Sequence, residues 1–171
     1  TEGRTASLTF DLGSTRPVDI DALLKDIAKA DVVVFAGGIA PSLEGEEMPV
    51  SVPGFKGGDR EDIQLPAVQR NVVKALKEAG KRVVFVNFSG SAMGLVEESR
   101  NCEAIIQAWY PGQAGGTAIV DVLFCKYNPA GRLPVTFYKD VKQLPDFQDY
   151  SMRGRTYRYF QGEALYPFGY G

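Results

Sequence analysis

An α/β domain with an open, mainly parallel sheet and helices on both faces is the fold this sequence predicts, and three observations predict it. Two continuous apolar runs of strand length, Asp31-Val32-Val33-Val34-Phe35-Ala36 and Arg82-Val83-Val84-Phe85-Val86-Asn87, read as strands covered on both sides, which is how parallel strands appear in sequence. Each run is preceded by a segment whose apolar residues recur at helical spacing. Glycine-rich turns follow the strands, so the order becomes helix, strand, helix, strand, strand, helix, the alternation of a three-layer α/β/α sandwich.

Each element has its own signal. Residues 1–18 read as a lead-in, with Thr1 to Arg4 a tail and Leu8 to Phe10 a weak strand. Ile20, Leu23, Leu24, Ile27 and Ala28 mark the first helix, with Asp19 or Asp21 placed to cap its free N–H groups. After the first strand, the stretch from Gly37 to Glu61 is punctuated by Gly and Pro, and a loop of that length in a compact domain is usually functional or disordered. Leu43, Met48, Val50, Val52 and Phe55 are expected to pin it down, with Met48 to Val52 able to pair as a short β excursion. Leu65, Val68, Val72, Val73 and Leu76 trace an amphipathic helix with Pro66 in its first turn and Gly80 at its end. After the second strand and a short segment at Met93 to Glu97, Ala104 to Trp109 reads as a third strand, and Gly112 to Gly116 leads into a helix over Thr117 to Phe124. Leu133 to Phe137 is a short strand that Pro134 confines to an edge or an irregular course. The sandwich proper is expected over residues 19–149. Residues 150–171 form an arm in which Tyr150, Tyr157, Tyr159, Phe160, Tyr166, Phe168 and Tyr170 lie among Arg153, Arg155 and Arg158, suited to packing on this domain or the next or to stacking on sugars or bases.

Composition removes several classes of function. Hydrophobic residues are 44% and charged residues 23%, ordinary for a globular chain. With 19 Lys and Arg against 21 Asp and Glu, no long-range field gathers a nucleic acid or an anionic membrane, and no partner of either kind is expected. No apolar stretch approaches the roughly 18 residues of a membrane span. The sequence contains no His, so imidazole acid/base chemistry cannot come from within it, and a zinc site would have to use thiols and carboxylates. Cys102 and Cys125 read as small buried hydrophobes rather than a bridge or ligand pair. No metal and no cofactor is expected. Gly112-Gln113-Ala114-Gly115-Gly116 lacks the Lys-Ser/Thr ending of a phosphate loop and is not G-x-G-x-x-G, so it reads as a tight strand-to-helix turn.

Ligands of parallel α/β sheets bind at the C-terminal ends of the strands. Three features fall there: the long acidic loop after Phe35, Asn87-Phe88-Ser89-Gly90, and Trp109-Tyr110-Pro111-Gly112-Gln113. The acidic loop carries Glu44-Gly45-Glu46-Glu47, three carboxylates in four positions, which either supply a general acid or form a solvated acidic turn. In Gly57-Gly58-Asp59-Arg60, Asp59 is placed to cap a helix at Asp62 to Gln64, to pair with Arg60, or to meet a ligand.

Taken together, several segments resemble glycoside hydrolase family 3, specifically its C-terminal α/β sandwich domain. They are Asp31 to Gly38, Glu44-Gly45-Glu46-Glu47, Gly58-Asp59-Arg60 with Ile63-Gln64-Leu65-Pro66 and Gln69, and Val83 to Asn87. Ala108-Trp109-Tyr110-Pro111-Gly112-Gln113-Ala114-Gly115-Gly116-Thr117-Ala118, Asn128-Pro129-Ala130-Gly131-Arg132-Leu133-Pro134-Val135-Thr136-Phe137, Tyr157-Arg158-Tyr159-Phe160 and Leu165-Tyr166-Pro167-Phe168-Gly169-Tyr170-Gly171 complete the resemblance, which covers residues 19–171.

The resemblance implies a flavodoxin-like sandwich from a retaining, exo-acting β-glycosidase of the β-xylosidase or β-glucosidase type, acting on β-linked xylosides or glucosides at non-reducing ends. It implies an active site shared between domains: an N-terminal (β/α)₈ barrel brings the Asp nucleophile, and this domain brings the general acid/base Glu. A fibronectin-like third domain follows in many members. On that plan the chain is one part of a larger enzyme, expected to be inactive alone, whose parent is bacterial and periplasmic or secreted. Relatives read Glu-x-Glu-Gly-x-Asp-Arg compactly, whereas here Glu47 follows Glu46 and Met48 to Gly57 intervene before Asp59-Arg60. Matching the second Glu of that pattern makes Glu46 the expected acid/base and Glu44 its alternative, with Glu44, Glu47, Asp59 and Arg60 binding substrate or ordering the loop. The rival reading is a carbohydrate-binding or purely structural domain of a polysaccharide-degrading enzyme.

Overall fold

A computed structural model of the chain describes residues 17–45, 48–57 and 59–171. The weak strand expected at Leu8 to Phe10 lies outside the described residues, as do Glu46, Glu47 and Gly58.

Helix α1 (Ile20–Asp26) begins where the side chain of Asp19 accepts the Ala22 N–H, the cap that the sequence places there. It leads into strand β1 (Val32–Gly38), followed by the single turn α2 (Pro41–Glu44) and a small antiparallel meander of β2 (Ser51–Val52), β3 (Phe55–Lys56) and β4 (Asp59–Arg60). Helix α3 (Ala67–Glu78), strand β5 (Arg82–Phe88), helix α4 (Val96–Asn101), strand β6 (Ala104–Gln107) and helix α5 (Gly115–Leu123) come next. A 3₁₀ turn at Val141–Gln143 and a short helix α6 (Thr156–Tyr159) punctuate the remainder.

Strands β1, β5 and β6 form one parallel sheet in the order β1-β5-β6, with Phe35 beside Phe85 and Asn87 beside Gln107. Helix α3 lays Val72, Val73 and Leu76 on the sheet and touches α1 and α4 at its sides. These residues, with Phe35, Leu65, Val83, Phe85, Met93 and Leu95, make the core. Burying such side chains at roughly 1.5–3 kcal/mol each provides the driving force for this packing.

The structure corrects four expectations. First, β5 is covered on both sides, but among the described residues β1 lies at a sheet edge and exposes Val34 by 52% and Val32 by 43%. A uniformly apolar run reports burial of the sheet in general, not which strand is central. Second, the loop after β1 is pinned by Leu43 and Phe55, whereas Met48 is exposed and only Ser51–Val52 of the expected β excursion pairs. Third, Leu133 to Phe137 is not a regular strand. Its Leu133 and Phe137 N–H groups donate to Tyr170 O and Tyr166 O of the arm, with only an isolated Phe137–Tyr166 bridge. Pro134 has no N–H to continue a ladder. Fourth, Cys125 is exposed just beyond α5, where its φ of 56° turns the chain away, and Cys102 is only half-buried.

The end of the arm packs on the domain through Leu165 and Tyr166, while Tyr150 and Tyr157 are exposed. Tyr166 packs against Phe137 with ring centroids 6.2 Å apart, and Phe137 meets Trp109 edge-on at 6.0 Å. A groove of about 850 Å³ separates the outer edge of β6 from α5 and residues 129–133.

Candidate active site

The parallel strands end together at Gly38, Phe88 and Gln107, and the chain leaving each one contributes to a single polar cluster. From β1, the turn α2 ends with Glu44. Gly45 follows at φ 64°, and a Cβ there would lie 2.2 Å from Val50 Cγ2, so a glycine is required for the chain to double back onto Val50. From β5 come Ser89, Gly90 and Ser91. From β6 comes Tyr110, reached through Trp109, whose φ of 56° is a left-handed conformation rarely adopted by a bulky residue.

Glu44 is the centre of the cluster. Ser91 Oγ donates to Glu44 Oε1 at 2.8 Å, and the Tyr110 hydroxyl lies 2.9 Å from Glu44 Oε2 and 3.0 Å from Ile39 O, sharing one proton between two acceptors. Arg60 Nη1 donates to Ser91 Oγ at 2.6 Å and to Ala92 O at 3.3 Å, while Arg60 Nε donates to Asp62 O at 3.2 Å. The serine hydroxyl thus relays the Arg60 cation to the Glu44 carboxylate. Gly90 leaves room for this approach: a Cβ there would sit 2.6 Å from the Tyr110 ring and 3.2 Å from Glu44 Oε2.

A second layer supports the first. Asn87 Nδ2 donates to Gln107 Oε1 at 2.6 Å and to Ser89 Oγ at 3.2 Å, Gln107 Nε2 donates to Ser89 Oγ at 3.0 Å, and Ser89 Oγ donates to Ser91 O at 2.9 Å. On the opposite side, Gln69 holds Gly38 through Gly38 N to Oε1 at 2.8 Å and Nε2 to Gly38 O at 2.7 Å. The root of the acidic loop is therefore held by the buried Gln69 amide, and the Ser89–Ser91 turn that faces Glu44 by Asn87 and Gln107.

The surroundings shift two of these groups. Burial, reinforced by the hydrogen bond to Glu44 and by its charge, pushes the Tyr110 phenol up to about 12, so it acts as a neutral donor over the ordinary pH range. Burial draws the Arg60 guanidinium below its usual value, against the opposing pull of Glu44, Asp62 and Asp59. Among the described residues, the buried Arg60 Nη2 finds no hydrogen-bond partner.

Of the residues singled out from sequence, Glu44 and Arg60 are brought together through Ser91, while Glu46 and Glu47 lie outside the described residues. Asp59 caps no helix: its Oδ1 accepts the Arg60 backbone N–H at 2.7 Å and its charge acts on the Arg60 guanidinium, while Asp62 itself accepts from Gln64 N at 3.1 Å in a segment that is not helical. A side chain bonded to its own neighbour outcompetes a distant cap. Tyr110 and Ser91 were not singled out as individual site residues. Their signal is positional only: an aromatic hydroxyl and a glycine-flanked serine just beyond strand ends. Among the described residues no group of three or more Cys, Asp or Glu side chains is arranged to hold a metal ion, and no helix is long and apolar enough to cross a membrane.

The family model of the glycosyl hydrolase family 3 C-terminal domain matches residues 8–171. The chain belongs to that family. It is 60% identical over 166 residues to a xylan 1,4-β-xylosidase of Xylanibacter ruminicola, an alignment covering 97% of this chain and 19% of the relative. It is 37% identical to a periplasmic β-glucosidase of Salmonella typhimurium, over 89% of this chain and 20% of the relative. Among solved structures, a glycoside hydrolase family 3 exo-β-xylosidase in complex with a xylobiose aziridine probe superposes with a TM-score of 0.77 at 30% identity, covering 95% of this chain and 21% of that one. A β-glucosidase from Listeria innocua in complex with gluconolactone gives 0.72 at 26% identity, covering 96% of this chain and 23% of that one. This family 3 domain therefore spans about a fifth of the length of the relatives it matches. Its parallel β1-β5-β6 sheet with packed helices is the α/β fold that the sequence predicts.

Proposed function

We propose that the chain is the C-terminal domain of a retaining, exo-acting β-glycosidase for β-linked xylosides or glucosides, and that Glu46 is its general acid/base. The observation that carries this reading is the family 3 match over residues 8–171 with 60% identity to a xylan 1,4-β-xylosidase. The cluster geometry supports the choice of Glu46 over Glu44. Both Glu44 oxygens are already occupied, by Ser91 and Tyr110, an arrangement suited to anchoring rather than to handing a proton to a substrate.

The chemistry needs two carboxyl groups about 5–5.5 Å apart across the scissile bond. In the first step Glu46 gives its proton to the glycosidic oxygen as that oxygen leaves the anomeric carbon, and the nucleophile forms a glycosyl-enzyme. In the second, the Glu46 carboxylate takes a proton from the water that attacks the anomeric carbon and frees the nucleophile. The nucleophile on this reading is an Asp of an N-terminal (β/α)₈ barrel, with a fibronectin-like domain following, and the chain by itself turns over no glycoside. The periplasmic β-glucosidase relative supports a periplasmic or secreted parent.

The test is Glu46→Gln in the full-length enzyme. Aryl xylosides with poor leaving groups should slow far more than dinitrophenyl xyloside, which needs no protonation, and azide should restore turnover of the latter by replacing the base-activated water. Equal losses on both substrates without azide rescue would move the role to Glu44 or Glu47.

A further inference from the structure

We propose that Tyr110, acting with Ser91 through Glu44, is a positioning residue that sets where the acid/base loop stands. The proposal rests on Glu46 being the acid/base. Glu46 follows Glu44 by two residues, a span of at most ~7 Å of extended chain, so whatever fixes Glu44 limits where the following carboxylate can go. Glu44 is held from separate strand ends: Ser91 after β5 on one oxygen, Tyr110 after β6 on the other, and Arg60 of β4 through the serine hydroxyl. The clamp is therefore a tie between the acidic loop and the sheet, not a contact within the loop.

Two backbone features show that the tie is built at a cost. Trp109 adopts φ 56°, a left-handed conformation that a bulky residue rarely takes, and it immediately precedes the tyrosine that reaches Glu44. The Trp109 ring is packed beside Phe137, which holds that turn in place. Gly90 is the other feature, since any side chain there would displace both the Tyr110 ring and the Glu44 carboxylate.

The experiment uses the full-length enzyme with Tyr110→Phe, which keeps the ring over Gly90 and removes the hydroxyl, and Ser91→Ala, which removes the other donor. Displacing a catalytic group by about 1 Å costs roughly 100-fold, so kcat on poor-leaving-group aryl xylosides should fall about 10- to 100-fold in each variant. KM on these substrates should hold, and dinitrophenyl xyloside, which skips leaving-group protonation but still needs the base-assisted second step, should lose less than they do and should recover with azide. Because both act on one carboxylate, the double variant should lose less than the product of the two singles. Circular dichroism and melting identify any variant that is merely unfolded, and the remaining one then decides. The proposal is overturned if the folded variants lose activity equally on both substrates, or not at all, while Glu46→Gln keeps its leaving-group and azide signature. If Glu46→Gln itself lacks that signature, the acid/base assignment falls and the positioning role falls with it.

Discussion

Replacing Gln69 by Leu keeps the volume of a fully buried side chain and removes its only two hydrogen bonds, both to the backbone of Gly38 at the end of β1. The Gly38 N–H and C=O are then left without those partners in a buried position, at about 1–3 kcal/mol each. Against roughly 2–6 kcal/mol of loss stands a gain of about 1–2 kcal/mol from burying an apolar group in place of an amide, and the middle of the two ranges leaves a net destabilisation of about 2.5 kcal/mol. For a domain of this size that lowers Tm by about 5–10 °C. Gln69→Glu separates hydrogen bonding from packing. Its carboxylate still accepts the Gly38 N–H but sets a second oxygen against Gly38 O, a conflict relieved when the acid is protonated and can donate. The folded-state pKa of the introduced acid is thereby raised, so stability is present at low pH and lost as pH rises through that value. Urea unfolding followed by far-UV circular dichroism at pH 4 and pH 8 measures both variants. Leu and Glu variants that unfold within about 0.5 kcal/mol of the parent at both pH values would refute the reasoning.

Glu98 is 1% exposed in α4, and among the other described residues neither of its carboxylate oxygens finds a hydrogen-bond partner. Burial raises its pKa, against its own backbone N–H and the Arg70 charge, so its contribution to stability is present below the unfolded-state value of about 4.3 and lost as pH rises through the folded-state value. Glu98→Gln should therefore raise the urea midpoint at pH 8 and leave it nearly unchanged at pH 4; a drop at pH 8 would show that the charge is needed. The two thiols should differ in reactivity. Burial, followed by the charge of Glu98, pushes Cys102 up to about 12. Its thiolate is then only about one part in ten thousand at pH 8. Iodoacetamide should therefore modify exposed Cys125 first, as read by peptide mass, and Cys102 only in denaturant.

Much of the fold was legible because it depends on local pattern. The run Arg82 to Asn87 could only be a buried strand, the helical spacing of Val72, Val73 and Leu76 named the face that meets the sheet, and Asp19 capped the helix it precedes. The exposed face of β1 was not legible, and although Pro134 marked Leu133 to Phe137 as an edge or irregular segment, its partners were not. Apolar runs do not encode strand order, and the partners of Leu133 and Phe137 are supplied by residues about thirty positions later. The candidate site divided in the same way. Its location at the strand ends and the acidic character of its loop follow from the order of elements.

Sequence therefore determined the family, the parallel α/β architecture and the loop that carries the acids, since periodicity and ordered motifs are properties of the chain read in line. Tertiary structure alone decided that Glu44 is an anchored carboxylate, that Arg60 reaches it through Ser91 and not through Asp59, and that Gln69 holds the root of the loop. Those roles are hydrogen bonds between groups 31 to 66 residues apart, and such a bond exists only once the sheet has brought its strand ends together.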